Sequence, residues 1–374
     1  MTRRARTRRR RLPPNRPAWP RCRWSVRPRN RCADPHGGQR PGTEEKHCGT
    51  INQATPHFHH PLPQRRARVC PPLFSYHAAM PLTPINELMA AARRGKYAVG
   101  YFEAWDIASL QGVVDAAEQS HAPVIIGFNG EFLTHQVRRV SERIEWYGAL
   151  GRVAAESATV PCGFIFNECS DHDVVRHAVT CGFNLVMPVR GDMSESQHVQ
   201  STRQIVQYAH EHGVAIESEI GELPFGASGQ VDDSGSVTDG EQAAQFVRDT
   251  GVDLLGVSVG NVHLLVKGRR ELDSARLAAI AQCVDIPLVL HGGTGIDHDS
   301  LREAVALGIA KVNYGTILKQ RFLAAATPRM VSARLNPHET LGEGGEHDAL
   351  VAGRVALRDV VTEKMQVLGC VGRC

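Results

Sequence analysis

No apolar run in these 374 residues approaches the roughly 20 needed to span a bilayer, which excludes a membrane-spanning helix. Paired cysteines are also missing. Of the ten cysteines, Cys22, Cys32, Cys48 and Cys70 lie near the start. Cys162, Cys169, Cys181, Cys283, Cys370 and Cys374 are scattered with no CxxC spacing. That pattern argues against a disulfide framework and against structural zinc on thiolates, and points to reduced thiols in the cytoplasm. Acids are nearly absent from residues 1–79, and aliphatics are few there. Prolines and runs such as Arg8-Arg9-Arg10-Arg11 fill the segment instead, so the formal charge of +4 is local and the balance turns acidic from Met80 onward. No apolar stretch follows the arginines, which argues against a signal peptide, and the Pro-rich, Ser-poor composition argues against a transit peptide. Residues 1–79 are therefore expected to be a disordered Arg/Pro-rich extension. Met80-Pro-Leu-Thr reads as a natural start, so the extension is also a candidate mis-called start. A basic arm could bind nucleic acid in a salt-dependent way, but nothing in the remaining chain supports that function.

What is present is an ordinary globular composition, 42% hydrophobic and 22% charged. From residue 97 short apolar runs alternate with amphipathic stretches. The strand-like runs are Tyr97–Phe102, Pro123–Phe128, Pro161–Asn167, Leu185–Val189, Ala215–Gly221, Leu254–Val259, Pro287–Leu290 and Lys311–Asn313. Residues 107–119, 195–212 and 241–250 carry apolar side chains at three- and four-residue spacing, as helices do. Thr238, three residues before Glu241, is an expected helix cap, as is Asp297 or Asp299 for a later helix. Eight β/α units predict a closed (β/α)8 TIM barrel over residues 80–326, with an open doubly wound sheet as the competitor. Polar residues gather at the C-terminal ends of nearly all the runs, which favours the barrel. Residues 327–374 are expected to form a C-terminal helical tail, with a helix over 349–367 covering a barrel face or an oligomer contact.

The most informative segment is His291-Gly-Gly-Thr-Gly295, directly after the apolar run 286–290. A candidate metal ligand ends a strand there, and glycines follow where a phosphate could approach backbone N–H groups. His263 ends an earlier run in a similar way. An isolated histidine is more often a hydrogen-bonded core residue; two at matched strand ends reverse that preference.

From Met80 to about Phe322 the chain resembles the class II, metal-dependent ketose-bisphosphate aldolases, above all the tagatose-bisphosphate branch. The matching segments are Lys96–Phe102, His121–Ile126, Gly182–Met187, Ile216–Gly221, Val259–His263, Leu288–Ile296 and Lys311–Thr316, in the family's order and spacing. The resemblance implies retro-aldol cleavage of a phosphorylated ketose, with a zinc ion polarising the carbonyl and stabilising an enediolate. It places His263 and His291 on metal-ligand positions and Glu219 on a glutamate near the metal. Glu219 could equally be a barrel-lining carboxylate, and Glu217 points the same way along its strand. Gly292, Gly293, Thr294 and Gly295 fall on the phosphate loop, with Gly260 and Thr316 completing it and Asn313 contacting the dihydroxyacetone portion. The implied partner is a small phosphorylated sugar, and the implied assembly a homodimer or homotetramer.

One side of the expected site departs from the family. Its third strand ends His-x-Asp-His, with Asp transferring protons and the second His binding zinc; here Asn167 and Glu168 stand in those places. An amide is no general acid or base near neutral pH. Glu168 with His263 and His291 makes a two-histidine, one-carboxylate set suited to Zn²⁺ and also to Mn²⁺ or Fe²⁺, with a monovalent cation as a further candidate. Glu103 replaces the Asn that ends the family's first strand, Asn129 replaces Ser, Val189 replaces Asp, residues 224–227 replace Gly-Gly-x-Glu, and Leu264 replaces the glycine after the second zinc histidine. Three readings follow: a metal-dependent lyase whose base has moved, with Glu103 ahead of Asp171 and Cys169; an isomerase or epimerase of a sugar phosphate; or a non-catalytic phosphate-ligand-binding protein.

Overall fold

The computed structural model describes residues 82–374 apart from 222, 225–235, 264, 266 and 332–335. The basic segment 1–79, the start at Met80, Leu264 and residues 225–227 lie outside the described residues. Eight parallel strands close into a barrel in chain order: β1 (Val99–Ala104), β2 (Val124–Asn129), β3 (Cys162–Cys169), β4 (Leu185–Pro188), β5 (Ala215–Ile220), β6 (Leu254–Val257), β7 (Leu288–Leu290) and β8 (Ile309–Tyr314). β1 pairs with β8 through Gly100↔Val312, which closes the ring and rules out the open sheet. The helices are α1 (Ile85–Gly95), α2 (Ile107–Ser120), α3 (Gly130–Thr134), α4 (Ile144–Ser157), α5 (His172–Val179), α6 (Glu195–Glu211), α7 (Gly240–Thr250), α8 (Ser274–Cys283), α9 (His298–Ala306), α10 (Thr316–Val331), α11 (Pro337–Thr340) and α12 (Ala349–Leu368). Every strand meets the expected run. β1 starts two residues later than the pattern suggests, because Lys96 ends α1 in the left-handed region and Ala98 N donates to Leu368 O before pairing begins.

Local chemistry fixes the element ends. Asp297 caps α9 as expected, its side chain accepting from Asp299 N and Ser300 N. For α7 the cap is Asp239, not Thr238. Thr238 instead donates to Ile220 O and accepts from Ser258 N, so it ties the end of β5 to the end of β6. α1 sits at the N-terminal end of the barrel, where Thr83 N donates to Cys162 O and Ile85 abuts Gly163. That leaves the opposite mouth free, the end at which barrel active sites are built. α10 runs through the position where the tail was expected to begin, and α12 packs against α10 and α2 outside β1. The six described cysteines are all free thiols. No described helix is long and apolar enough to cross a membrane.

Candidate active site

The end of β3 carries the most unusual backbone. Neighbouring residues on a strand normally face opposite sides. Asn167 and Glu168 nevertheless both line one cleft at the barrel mouth. Pairing between β3 and β4 shifts register between Phe166 and Cys169, and Glu168 has φ +50°. A non-glycine residue in that region costs on the order of 1–3 kcal/mol, a penalty found most often at functional sites. The bulge turns the Glu168 carboxylate inward, where Asn129 Nδ2 donates to its Oε2 at 2.8 Å.

Two imidazoles converge on that carboxylate. His291 follows β7, is 2% exposed, and brings Nδ1 to 3.2 Å from Glu168 Oε1 and 3.5 Å from Glu219 Oε2. His263 Nε2 lies 3.7 Å from Glu168 Oε2. Asn261 staples the two histidine-bearing segments together. Its Oδ1 accepts from Val259 N, and its Nδ2 donates to Val257 O and to His291 O. One ligand atom from each of Glu168, His263 and His291 lies within 4.8 Å of the others. His291 Nδ1 is buried and makes no hydrogen bond. A buried ring nitrogen without a hydrogen bond, facing a carboxylate and a second imidazole, is the donor arrangement a divalent ion fits.

Beneath these ligands lies a second layer, in which sequence reading gave Asn313 and Asn167 a role but none to Glu217 or Lys311. Glu217, fully buried, meets His291 Nε2 at 2.9 Å. Lys311, also fully buried, lies 2.8 Å from Glu217 Oε2 and donates to Asn313 Oδ1. Asn313 Nδ2 donates in turn to Asn167 Oδ1 at 3.4 Å. Burial would raise the Glu168 carboxyl, but His263 and His291 hold it well below the usual range. Burial would likewise raise Glu217, and Lys311 and His291 hold it down. Burial disfavours the His291 imidazolium, yet the surrounding carboxylates raise it to about 10. Glu219 stands apart: burial, with Glu168 and Glu217 nearby, raises it although His291 opposes the shift. The only sequence signal for this layer was charge at alternate positions of two barrel strands.

On the other wall Glu103, the last but one residue of β1, is 7% exposed, and Lys319 of α10 donates to its Oε1. Burial raises the Glu103 carboxyl against the pull of Lys319. A Cβ on Gly315 would fall on Glu103 Oε2, so a side chain there would push this carboxylate aside. The other two candidate bases are occupied differently. Asp171 caps α5, and burial pushes the Cys169 thiol up to about 12.

The expected phosphate side is partly assembled. Gly292, Thr294, Asn313 and Thr316 line the cleft with Glu103, Glu168 and His263. Gly292 has φ +69°, and a Cβ there would collide with Val262 O. Thr294 Oγ1 accepts from Ile317 N at the start of α10. Gly293 and Gly295 are buried, packing against Asn313 and Leu265, and Gly260 with φ +100° lies against Glu271. These three shape the turns and are not among the described cleft-lining residues, nor is Glu219. The cleft opens to solvent at the barrel mouth, and its volume is about 40 Å³, room for roughly an ion and one or two waters.

Comparison with known proteins shows the family. Residues 83–373 match the model of the class-II fructose-bisphosphate aldolase family, and the chain belongs to that family. It is 29% identical over 298 residues to the fructose-bisphosphate aldolase of Geobacillus stearothermophilus, covering 79% of this chain and 99% of that one. The crystal structure of the YdjI aldolase from Escherichia coli K12 superposes with a TM-score of 0.64 at 28% identity, covering 78% of this chain and 99% of that one. A putative fructose-1,6-bisphosphate aldolase from Coccidioides immitis gives the same TM-score, 0.64, at 22% identity, covering 78% and 98%, and supports the fold alone.

Proposed function

We propose that this aldolase-family chain holds a divalent ion on Glu168, His263 and His291 and cleaves a carbon–carbon bond of a phosphorylated ketose. The observation that carries this is the buried Nδ1 of His291, without a hydrogen bond and facing Glu168. A bound Zn²⁺, or Mn²⁺ or Fe²⁺ given the carboxylate, supplies Lewis-acid polarisation of the ketose carbonyl. Gly292 and Thr294, with Thr316 at the start of α10, offer backbone N–H groups and a hydroxyl to a phosphate. Asn313 sits between Lys311 and Asn167 and orients the polar end of the substrate next to the ion ligands. Glu103 is the proton acceptor. Burial raises its carboxyl, Lys319 fixes Oε1, and Oε2 lies against Gly315 beside Thr316. Asn167 keeps its position in the cleft as a hydrogen-bonding group, not as an acid or base. Glu219 adds negative charge close to His291. The free thiols fit a reducing, cytoplasmic setting.

The test is metal content followed by turnover. The purified chain should carry one divalent ion and cleave fructose or tagatose bisphosphate, and a chelator should abolish cleavage. Because Asn167 stands where the family presents an acid, a second reading has its own outcome. Metal with no cleavage, but proton exchange at a ketose phosphate, makes the chain an isomerase or epimerase. A chain that takes up no metal refutes the ligand set.

A further inference from the structure

Positive charge is scarce in the cleft. Among the described residues that line it there is no Lys or Arg, and there are two carboxylates, Glu103 and Glu168. Glu168 faces the two histidines, so a bound ion balances it. Glu103 has only Lys319 beside it, and that ammonium is already committed. It donates to Glu103 Oε1 and lies 4.1 Å from the centroid of the Phe132 ring and 5.8 Å from that of Trp105. Arg138 is committed too, donating to Phe132 O and pairing with Glu142. In sequence, residues 221–238 after β5 add Glu222, Asp232 and Asp233 and no Lys or Arg. Phe132 is 39% exposed and lines the cleft, and its N–H is held by Asn129 Oδ1. Its ring offers carbon surface to whatever lies against it.

The direction of the substrate follows from the ion-assisted cleavage proposed above, on which this inference rests. As the C3–C4 bond breaks, Glu103 takes the proton of the C4 hydroxyl and C4 becomes the carbonyl carbon of the aldehyde. The bond pair stays on the phosphate-bearing half, and a proton returned to C3 completes dihydroxyacetone phosphate. With that phosphate on the Gly292–Gly295 turn, C4 and the carbons beyond it lie along the wall of Glu103 and Phe132. A second phosphate there would face an ionised carboxylate whose neighbouring cation is already neutralised, and like charges so placed reject a ligand. We propose that the preferred substrate is a ketose with a single phosphate, at C1, and that the wall of Glu103 and Phe132 selects an uncharged aldehyde half. Ketose bisphosphates are then poor substrates of the same site.

The metal-loaded full chain, assayed on fructose and tagatose 1-phosphates against the corresponding bisphosphates, tests this. kcat/KM should be at least about tenfold higher for the 1-phosphates. Phe132→Arg adds a cation to the wall and should narrow that ratio about tenfold, chiefly through KM for the bisphosphate; Phe132→Leu keeps the wall apolar and should preserve the ratio. Equal or better turnover of the bisphosphates overturns the proposal, as does a ratio that Phe132→Arg leaves unchanged. If no compound is cleaved, the lyase reading fails, and calorimetric binding of the same four compounds decides the preference. Tighter binding of the 1-phosphates then keeps the single-phosphate assignment. Tighter binding of the bisphosphates, or binding of none, overturns it.

Discussion

Substituting Glu217→Gln separates the two tasks of the buried layer. The amide preserves volume and an acceptor for His291 Nε2 but removes the charge facing Lys311, whose side chain is fully buried 2.8 Å away. Stranding one partner of a buried ion pair costs about 3–5 kcal/mol. At roughly 2–4 °C per kcal/mol for a domain near this size, the melting temperature should fall by about 6–20 °C. The second effect falls on the metal ligand. When the ion is bound, an acceptor on Nε2 keeps the remaining proton there and leaves Nδ1 to the ion, and weakening such an outer contact typically costs about 10–100-fold in ion affinity. That corresponds to about 1.4–2.8 kcal/mol. Melting of the ion-free protein reads the first effect, and competition with a chromophoric chelator reads the second. The double variant Glu217→Gln/Lys311→Met removes both charges; it should regain most of the stability and little of the affinity. If Glu217→Gln melts within about 2 °C of wild type, the buried pair does not carry the energy assigned to it. If its ion affinity is also unchanged, Glu217 does not orient His291.

Other perturbations have equally definite outcomes. Glu168→Ala removes the carboxylate between the histidines and should leave the purified chain without metal; unchanged metal content would refute the ligand set. Gly315→Ala places a methyl group where Glu103 Oε2 sits, and a displaced base should lower kcat about 100-fold with little change in melting temperature. Burial, with help from His172 and Arg190, lowers His198 to about 4. The unfolded histidine takes a proton near pH 6.5 and the folded one does not, so stability should fall as pH drops from about 6.5 to 4, by about 3 kcal/mol. His198→Gln should flatten that slope in denaturant titrations at successive pH values; an unchanged slope would locate the acid sensitivity elsewhere.

The barrel was legible because its information is local. Nearly every strand is a short apolar run ended by a polar residue, and eight such runs leave little choice of closed topology. His291 was legible for the same reason, directly after β7, whereas His263, expected at a strand end, lies in the loop six residues after the end of β6, and its place as a ligand came from the resemblance and not from a strand end. The inward turn of Glu168 was not, because alternation along a strand predicts that two neighbours face apart, and a bulge set by pairing with β4 overrides that rule. Glu217 and Lys311 lie far apart in sequence; pairing of β8 with β7 sets Lys311 beneath His291, and the curved barrel interior brings it to Glu217 on β5. Lys319 gave no signal at all: on a helix pattern it is an ordinary solvated lysine, and it meets Glu103 only because α10 starts at the mouth. Thr238 misled as a cap because the strand ends, and not the helix, claim its hydroxyl.

The altered end of β3 conserves charge while moving it. In the pattern that the chain resembles, an acidic residue precedes a neutral imidazole; here Asn167 is neutral and Glu168 carries the carboxylate. The sum over the two positions is the same, so the cation can be balanced as before. What is lost is an ionisable group at position 167 to handle protons. Glu103 stands where the family presents Asn, and it restores a carboxylate on the opposite wall with its pKa raised by burial. If the base has moved in this way, moving it back should make Glu103 dispensable. Glu103→Gln alone should lower kcat by about 10²–10⁴-fold, the usual worth of a general base. Adding Asn167→Asp and Glu168→His to that variant should recover cleavage while the ion remains bound. The measurement is kcat of the triple variant against Glu103→Gln, with metal content checked in both. A triple variant that binds its ion but cleaves no faster shows that Glu103 was never the base.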